Sequence, residues 1–340
     1  MPTSQQSSMK TSHVASPITP QPPSGVTSTL STKGRLRALL KGMRPKQWTK
    51  NATLFIAITF SGHLLLLNEF ERALLAFLAF CLASSGIYLF NDLLDIEKDR
   101  QHPVKCSRPL ASGQLPVSWA VVAMVIIVLV CAALSLAIFA FPVMPSRDIY
   151  ANLGGSNLLF SLCVLAYLVL MVLYGVWLKH IVLIDIFVIA CGFVLRVIAG
   201  ALVTPVSISP WLYMVTCLLS LFLALSKRRN ELVLLQGKAG THRQILNEYN
   251  IPMLDQMITV VTTCTLMAYS LYTVEAPTGY HNIILTVPFV LYGLFRYLYL
   301  VYVRKDGGSP DEVLLHDRHM LVTVVICTVI ILAVFYVLPH

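Results

Sequence analysis

Long apolar stretches separated by short clusters of charge follow one another along almost the whole chain, and this pattern restricts the fold more than any other feature. Cutting at the charge clusters and at Pro and Gly leaves nine apolar spans, at about 52–67, 74–90, 117–141, 158–176, 181–203, 211–225, 257–274, 283–303 and 320–338. Of the 340 residues 56% are hydrophobic and only 12% are charged. The mean hydropathy of +0.74 is too apolar for a soluble domain of this size. An all-α integral membrane protein with nine transmembrane helices is the expected fold. Several spans fall short of the ~20 residues that a perpendicular crossing needs, so their ends must enter the interface or be set by packing.

Basic residues give the sidedness, because cytoplasmic loops collect Lys and Arg. With the N-terminus inside, the tail and the cytoplasmic loops hold 21 of the 25 Lys and Arg; Arg196 and Arg296 fall within spans, and only Arg72 and Arg147 lie on the far side. The expected topology in the inner (plasma) membrane is therefore multi-pass, with the N-terminus cytoplasmic and the C-terminus outside. The net charge of +9 is accounted for by this bias and calls for no nucleic acid partner.

Residues 1–32 are rich in Ser, Thr and Pro, lack an apolar core and are expected to be a disordered tail without a signal peptide. From 33 to 50 the chain turns basic, with Leu36, Leu39, Leu40, Met43 and Trp48 interleaved, as in an amphipathic helix lying on an anionic leaflet. Its charges anchor the chain, or Lys46 and Lys50 reach a substrate phosphate as well. Residues 51–340 form the nine-helix domain. Seven of the eight Cys stand singly in apolar spans with no CxxC, which predicts structural burial and neither disulfides nor zinc; the scattered His63, His180 and His281 suggest no metal site.

One stretch breaks the apolar pattern. In SSGIYLFNDLLDIEKDRQHPVKCSRPLASGQLP, Ser84 to Pro116, the residues Asn91, Asp92, Asp95, Glu97 and Asp99 fall within nine positions and are followed by Arg100, Lys105 and Arg108. If 87–100 is one helix, Asp92, Asp95 and Asp99 share a ~60° arc, Asn91 lies beside Asp95, and Glu97 is opposite. Carboxylates on one face at the mouth of a membrane helix repel each other unless something positive sits between them. Hard oxygen ligands suit Mg²⁺, which shares its remaining positions with substrate phosphates. The alternative is a solvated helix end whose acids pair with Lys98, Arg100 and Lys105.

NDLLDIEKDR followed by RPLASGQLP resembles the first Asp-rich motif of the UbiA superfamily of intramembrane prenyltransferases. RPKQWTKN at Arg44 to Asn51, the run from Tyr174 to Gly200, SKRRNE at Ser226 to Glu231, PFVLYGLFRYLYL at Pro288 to Leu300 and SPDEVLLHDR at Ser309 to Arg318 are similar to its polyprenyl-phosphate phosphoribosyltransferase branch. The resemblance implies nine helices around a central cavity open to the cytoplasm and, through a side gap, to lipid. It implies Mg²⁺ held by Asn91, Asp92, Asp95 and Asp99, with Tyr88, Arg100, Lys105 and Arg108 nearby on the substrates. Isoprenyl-diphosphate users of the superfamily usually carry a second Asp-rich motif between the sixth and seventh spans. Here that place reads SKRRNELVLLQGK, in which Lys227, Arg228 and Arg229 accompany the single acid Glu231. These cations either mark only the cytoplasmic side or hold phosphate directly.

The reaction so implied moves a 5-phosphoribosyl group from phosphoribosyl pyrophosphate to a polyprenyl phosphate lipid and releases pyrophosphate, in cell wall biosynthesis. An isoprenyl transfer to an aromatic acceptor, and more remotely a transporter, are the competing functions. Tyr174, Lys179 and Asp185 flank the short loop between the fourth and fifth spans, as interfacial residues or phosphate contacts. Arg196 is expected to pair with carbonyls or an acid, and Arg296 with a lipid phosphate or another helix. A homo-oligomer is left open.

Overall fold

The computed structural model describes residues 31–60, 62–102, 104–138, 156–204, 209–234, 244–275, 281–304, 313 and 316–336. The tail through residue 30, Arg147, Lys238 and Ser309 to Asp311 lie outside them. The described residues are helical, without strands.

The first helix, α1 (Thr32–Met43), stops where Arg44 takes the left-handed backbone (φ 55) and Pro45 forbids a further helical turn. Ala38 is buried with Leu89 in one cluster, and the Gly42 backbone lies against the Leu89 side chain. The expected interfacial segment 33–50 is thus two elements, because the chain reverses at Arg44 and Pro45 opens a 3₁₀ helix, Pro45–Leu54, that leads into α2 (Phe55–Phe60).

Among the described residues, eight helices are long and apolar enough to cross a membrane. They are α3 (Leu67–Leu94), α5 (Val117–Ala137), α6 (Ser156–Val176), α7 (Ile184–Val203), α8 (Pro210–Leu234), α9 (Ile251–Glu275), α10 (Val287–Tyr302) with the turn before it, and α11 (Arg318–Tyr336). A short α4 (Ile96–Gln101) follows α3. The first expected span is not among the eight, since 52–67 divides between the 3₁₀ helix, α2 and the start of α3. At rises of ~2.0 Å and ~1.5 Å per residue, the stretch from Pro45 to Phe60 still measures ~29 Å. Arg44 at its start touches Asp92 near the end of α3, whereas just beyond its other end the Leu64 N–H donates to Tyr336 at the end of α11.

Small residues let the helices approach. Ala73, Ala76, Ala79 and Ala83 line α3 at helical spacing, while α5 buries Ala120, Ala123, Ile127, Cys131 and Ser135 and leaves Val122, Val125 and Leu129 exposed to the surroundings. At Gly200 a Cβ would lie 2.0 Å from the Leu54 carbonyl oxygen, so α7 and the 3₁₀ helix touch backbone to backbone. Helix packing runs from α5 to α3, α6, α7, α8, α9, α10 and α11, and α11 returns to α2, which closes a ring.

Arg72 corrects the expectation of a loop residue. It is 1% exposed within α3 and donates to the carbonyls of Val203 and Ile138 and to Asn157 Oδ1. A cation there meets the C-terminal ends of α7 and α5, where helix dipoles favour it. Arg196 is held by Asn51 Oδ1, the Gly192 carbonyl and the Tyr167 hydroxyl, so carbonyl and dipole partners take the place of an acid. Burial of the cysteines holds for Cys81, Cys131 and Cys163, but Cys191 and Cys264 are exposed on helices that face outward.

Candidate active site

The Asp-rich stretch is not one helix. The chain leaves helical geometry at Asp95 (φ −101, ψ 12), between α3 and α4, although Asp95 N–H to Asn91 O (3.1 Å) and Asp99 N–H to Asp95 O (2.8 Å) carry the hydrogen bonding through. Asp92 and Asp99 stay on one side, each 3% exposed, and one nitrogen of Arg108 lies 3.1 Å from the first and 2.7 Å from the second. Asp95 turns instead to Lys179, whose Nζ is 3.3 Å from Oδ2. Arg44 adds a second contact to Asp92 Oδ1 at 2.5 Å, with its guanidinium 5.0 Å from the centre of the Tyr88 ring.

Three acids are thereby matched by three cations drawn from three separate parts of the chain. Of the local pairings that the alternative reading offered, Arg100 with an acid is found, but with Glu97 and not with an aspartate of the cluster. Arg100 pairs with Glu97 at 2.7 Å on the outer side of α4, away from the other acids. Lys105 is solvent-accessible, yet neighbouring protein desolvates one side of it and, with the charge of Arg108, lowers its ammonium below the usual lysine range against the opposing fields of Asp99, Asp95 and Glu231.

In the second half, Asp185 is wholly buried. It accepts from Arg228 Nε at 2.8 Å and from the Tyr249 hydroxyl at 2.8 Å. Arg228 also donates to Glu231 at 2.5 Å, and Tyr174 stands close enough to act on its charge. Asp185, expected as a substrate contact, spends both oxygens inside the protein and acts through Arg228. The three consecutive cations diverge because helix neighbours are 100° apart. Arg229 pairs with Asp255 at 2.5 Å and stacks 4.1 Å over Tyr302, while Lys227 is exposed; only Arg228 joins the site. Lys46 is exposed on the 3₁₀ helix.

Arg44 and Tyr249 were not singled out from the sequence. The signal for Arg44 was its place at the head of RPKQWTKN; Tyr249 stands in no motif. Asn91 Oδ1 is buried without a hydrogen-bond partner among the described residues, and a Cβ on Gly175 would lie 2.3 Å from it, so the glycine admits this amide. Among the described residues no three His, Cys, Asp or Glu converge into a ready-made metal cage. The donors Asn91, Asp92, Asp95 and Asp99 are nevertheless all hard oxygens, a set suited to a cation that completes its shell with substrate oxygens.

The ring of membrane helices is a fold shared with solved structures. A UbiA homolog from Archaeoglobus fulgidus superposes with a TM-score of 0.63 at 18% identity, over 88% of this chain and 100% of that one. The chain belongs to the UbiA prenyltransferase family, whose model matches residues 52–316. The decaprenyl-phosphate phosphoribosyltransferase of Corynebacterium glutamicum is 31% identical over 88% of this chain and 87% of its own length. The enzyme of the same name from Mycolicibacterium smegmatis is 31% identical over 84% and 88%. The protein is a multi-pass membrane transferase of this family.

Proposed function

We propose that the protein transfers the 5-phosphoribosyl group of phosphoribosyl pyrophosphate to the phosphate of a polyprenyl phosphate lipid and releases pyrophosphate. The observation that carries this reading is that each acid of the site is held by an Arg or Lys from another element, at a mouth shared with Lys105 and Arg228. Such cations exchange a carboxylate for a phosphate oxygen without a change of charge type. Support comes from the relatives in Corynebacterium and Mycolicibacterium, whose names state this activity.

On this reading Asn91, Asp92, Asp95 and Asp99 hold Mg²⁺, which supplies neutralising charge to the leaving pyrophosphate when bound; the Archaeoglobus homolog is described as bound to GPP and Mg²⁺. Arg44, Arg108 and Lys179 orient the pyrophosphate oxygens and stabilise the charge that gathers on them as the bond to ribose C1 breaks. Lys105 and Arg228, the latter paired with Glu231, face the 5-phosphate. The attacking lipid phosphate is already anionic at neutral pH and needs no general base, so positioning and electrostatics do the work.

The finer topology belongs to the same proposal. The ~29 Å stretch from Pro45 to Phe60 makes the ninth crossing, with the N-terminus and the site cytoplasmic, the C-terminus outside and the protein in the plasma membrane. The central cavity opens through a side gap toward lipid, because an isoprenoid tail cannot leave the bilayer cheaply at ~0.8 kcal/mol per buried CH₂.

The test is pyrophosphate release by purified protein given phosphoribosyl pyrophosphate, with and without polyprenyl phosphate. Release should require the lipid and Mg²⁺ and cease on chelation. Turnover of an isoprenyl diphosphate with an aromatic acceptor, without binding of the ribosyl donor, would overturn the function.

A further inference from the structure

The turn that leads into α7 contains a strained residue with no glycine to relieve it. Leu183 has φ 66 and ψ −40, a region that side chains with a Cβ avoid. Its N–H donates to the Tyr249 hydroxyl at 2.8 Å, and that hydroxyl donates in turn to Asp185 Oδ1 at 2.8 Å. The Tyr249 ring is buried with Ile186, Ile245 and Leu254, so the hydroxyl is fixed from behind. Four residues before Leu183 stands Lys179, the cation on Asp95, and the intervening backbone is tied by His180 N–H to Trp177 O and Ile181 N–H to Leu178 O. A hydroxyl from just before α9 therefore sets the bend that presents Lys179.

We propose that Tyr249 is a positioning residue of the transfer reaction: its hydroxyl pins the strained Leu183 turn and so keeps Lys179 at the donor pyrophosphate beside Asp95. The same hydroxyl braces Asp185, and through it Arg228, so one group registers two basic side chains of the mouth. The inference rests on the reading of Lys179 and Asp95 as donor-site groups.

Tyr249→Phe keeps the buried ring and removes only the hydroxyl. The expected result is a tenfold or larger rise in KM for phosphoribosyl pyrophosphate, an unchanged KM for polyprenyl phosphate, and faster hydrogen–deuterium exchange over residues 178–187. In Tyr249→Phe/Leu183→Gly, a glycine that adopts φ 66 without strain should restore the part of the donor affinity that depends on Lys179, leaving the part lost with the brace on Asp185 and Arg228. Leu183→Val, whose branched Cβ resists that backbone, should reproduce the defect with Tyr249 intact. An unchanged donor KM or unchanged exchange in Tyr249→Phe overturns the proposal, and so does a defect that Leu183→Gly does not reduce at all. Exchange is read without substrate, and wild type is assayed in parallel. Failure of wild type to use the donor would therefore count against the function, while the exchange data still decide the latch.

Discussion

Both ends of the helix ring hold arginines, but with different partners. At the far end Arg72 is buried and donates to the Val203 and Ile138 carbonyls and to Asn157 Oδ1, three neutral acceptors. At the Asp-bearing end Arg44 and Arg108 meet the carboxylates of Asp92 and Asp99, which we propose as metal ligands. Backbone carbonyls cannot be traded for a ligand without unwinding helix ends, so the first arrangement is a fixed clasp. Paired side-chain charges can be re-paired with an incoming phosphate and its metal, so the second is an exchangeable one.

The largest effect should follow from Asp92→Asn, which removes the acid shared by Arg44 and Arg108. We expect kcat to fall on the order of 10²–10³-fold with the fold retained, measured as pyrophosphate release beside a thermal unfolding curve. Arg72→Ala should do the reverse. Three donor contacts vanish and two helix ends lose their cation, so stability should drop by about 3 kcal/mol while kcat/KM per folded molecule stays within about twofold. A loss of activity without a loss of stability in Arg72→Ala would erase the distinction between the two ends.

A finer cut falls within one helix. Arg228→Gln should raise the donor KM by about tenfold or more through loss of a charge-assisted contact, whereas Lys227→Gln should change it less than about threefold. Equal effects would mean that the three neighbouring cations act as one patch. The smallest effect concerns Asp317, which caps the Met320 N–H and takes Arg296 at 2.8 Å, a carboxylate pair outside the site. The hydrogen bond from Arg296 is the main cause that holds its carboxyl at about 2, below the ordinary 3.8. A depressed acid adds stability that is complete above the unfolded value and is lost as pH falls from there through about 2. Asp317→Asn should therefore be less stable than wild type at neutral pH and approach it under acid titration followed by circular dichroism.

The sequence by itself determined that the chain is helical and membrane-embedded, because apolar spans of this length leave no soluble alternative, and it located the acids, because charge is rare and conspicuous in such a chain. Hard oxygens close together in sequence are legible without a fold. Their partners became visible only once the helices were packed. Of the cations that follow the acids in sequence only Arg108 pairs with the aspartates, joined by Arg44 and Lys179 from distant segments, since the break at Asp95 turns Asp92 and Asp99 one way and Asp95 another. In the same way Lys227, Arg228 and Arg229 form one group in sequence but point in three directions on α8, and Tyr249 gains its role only from a strained turn 66 residues away. Periodicity reports which face of a helix is apolar; which charge meets which across a ring of helices depends on where kinks and turns aim the side chains.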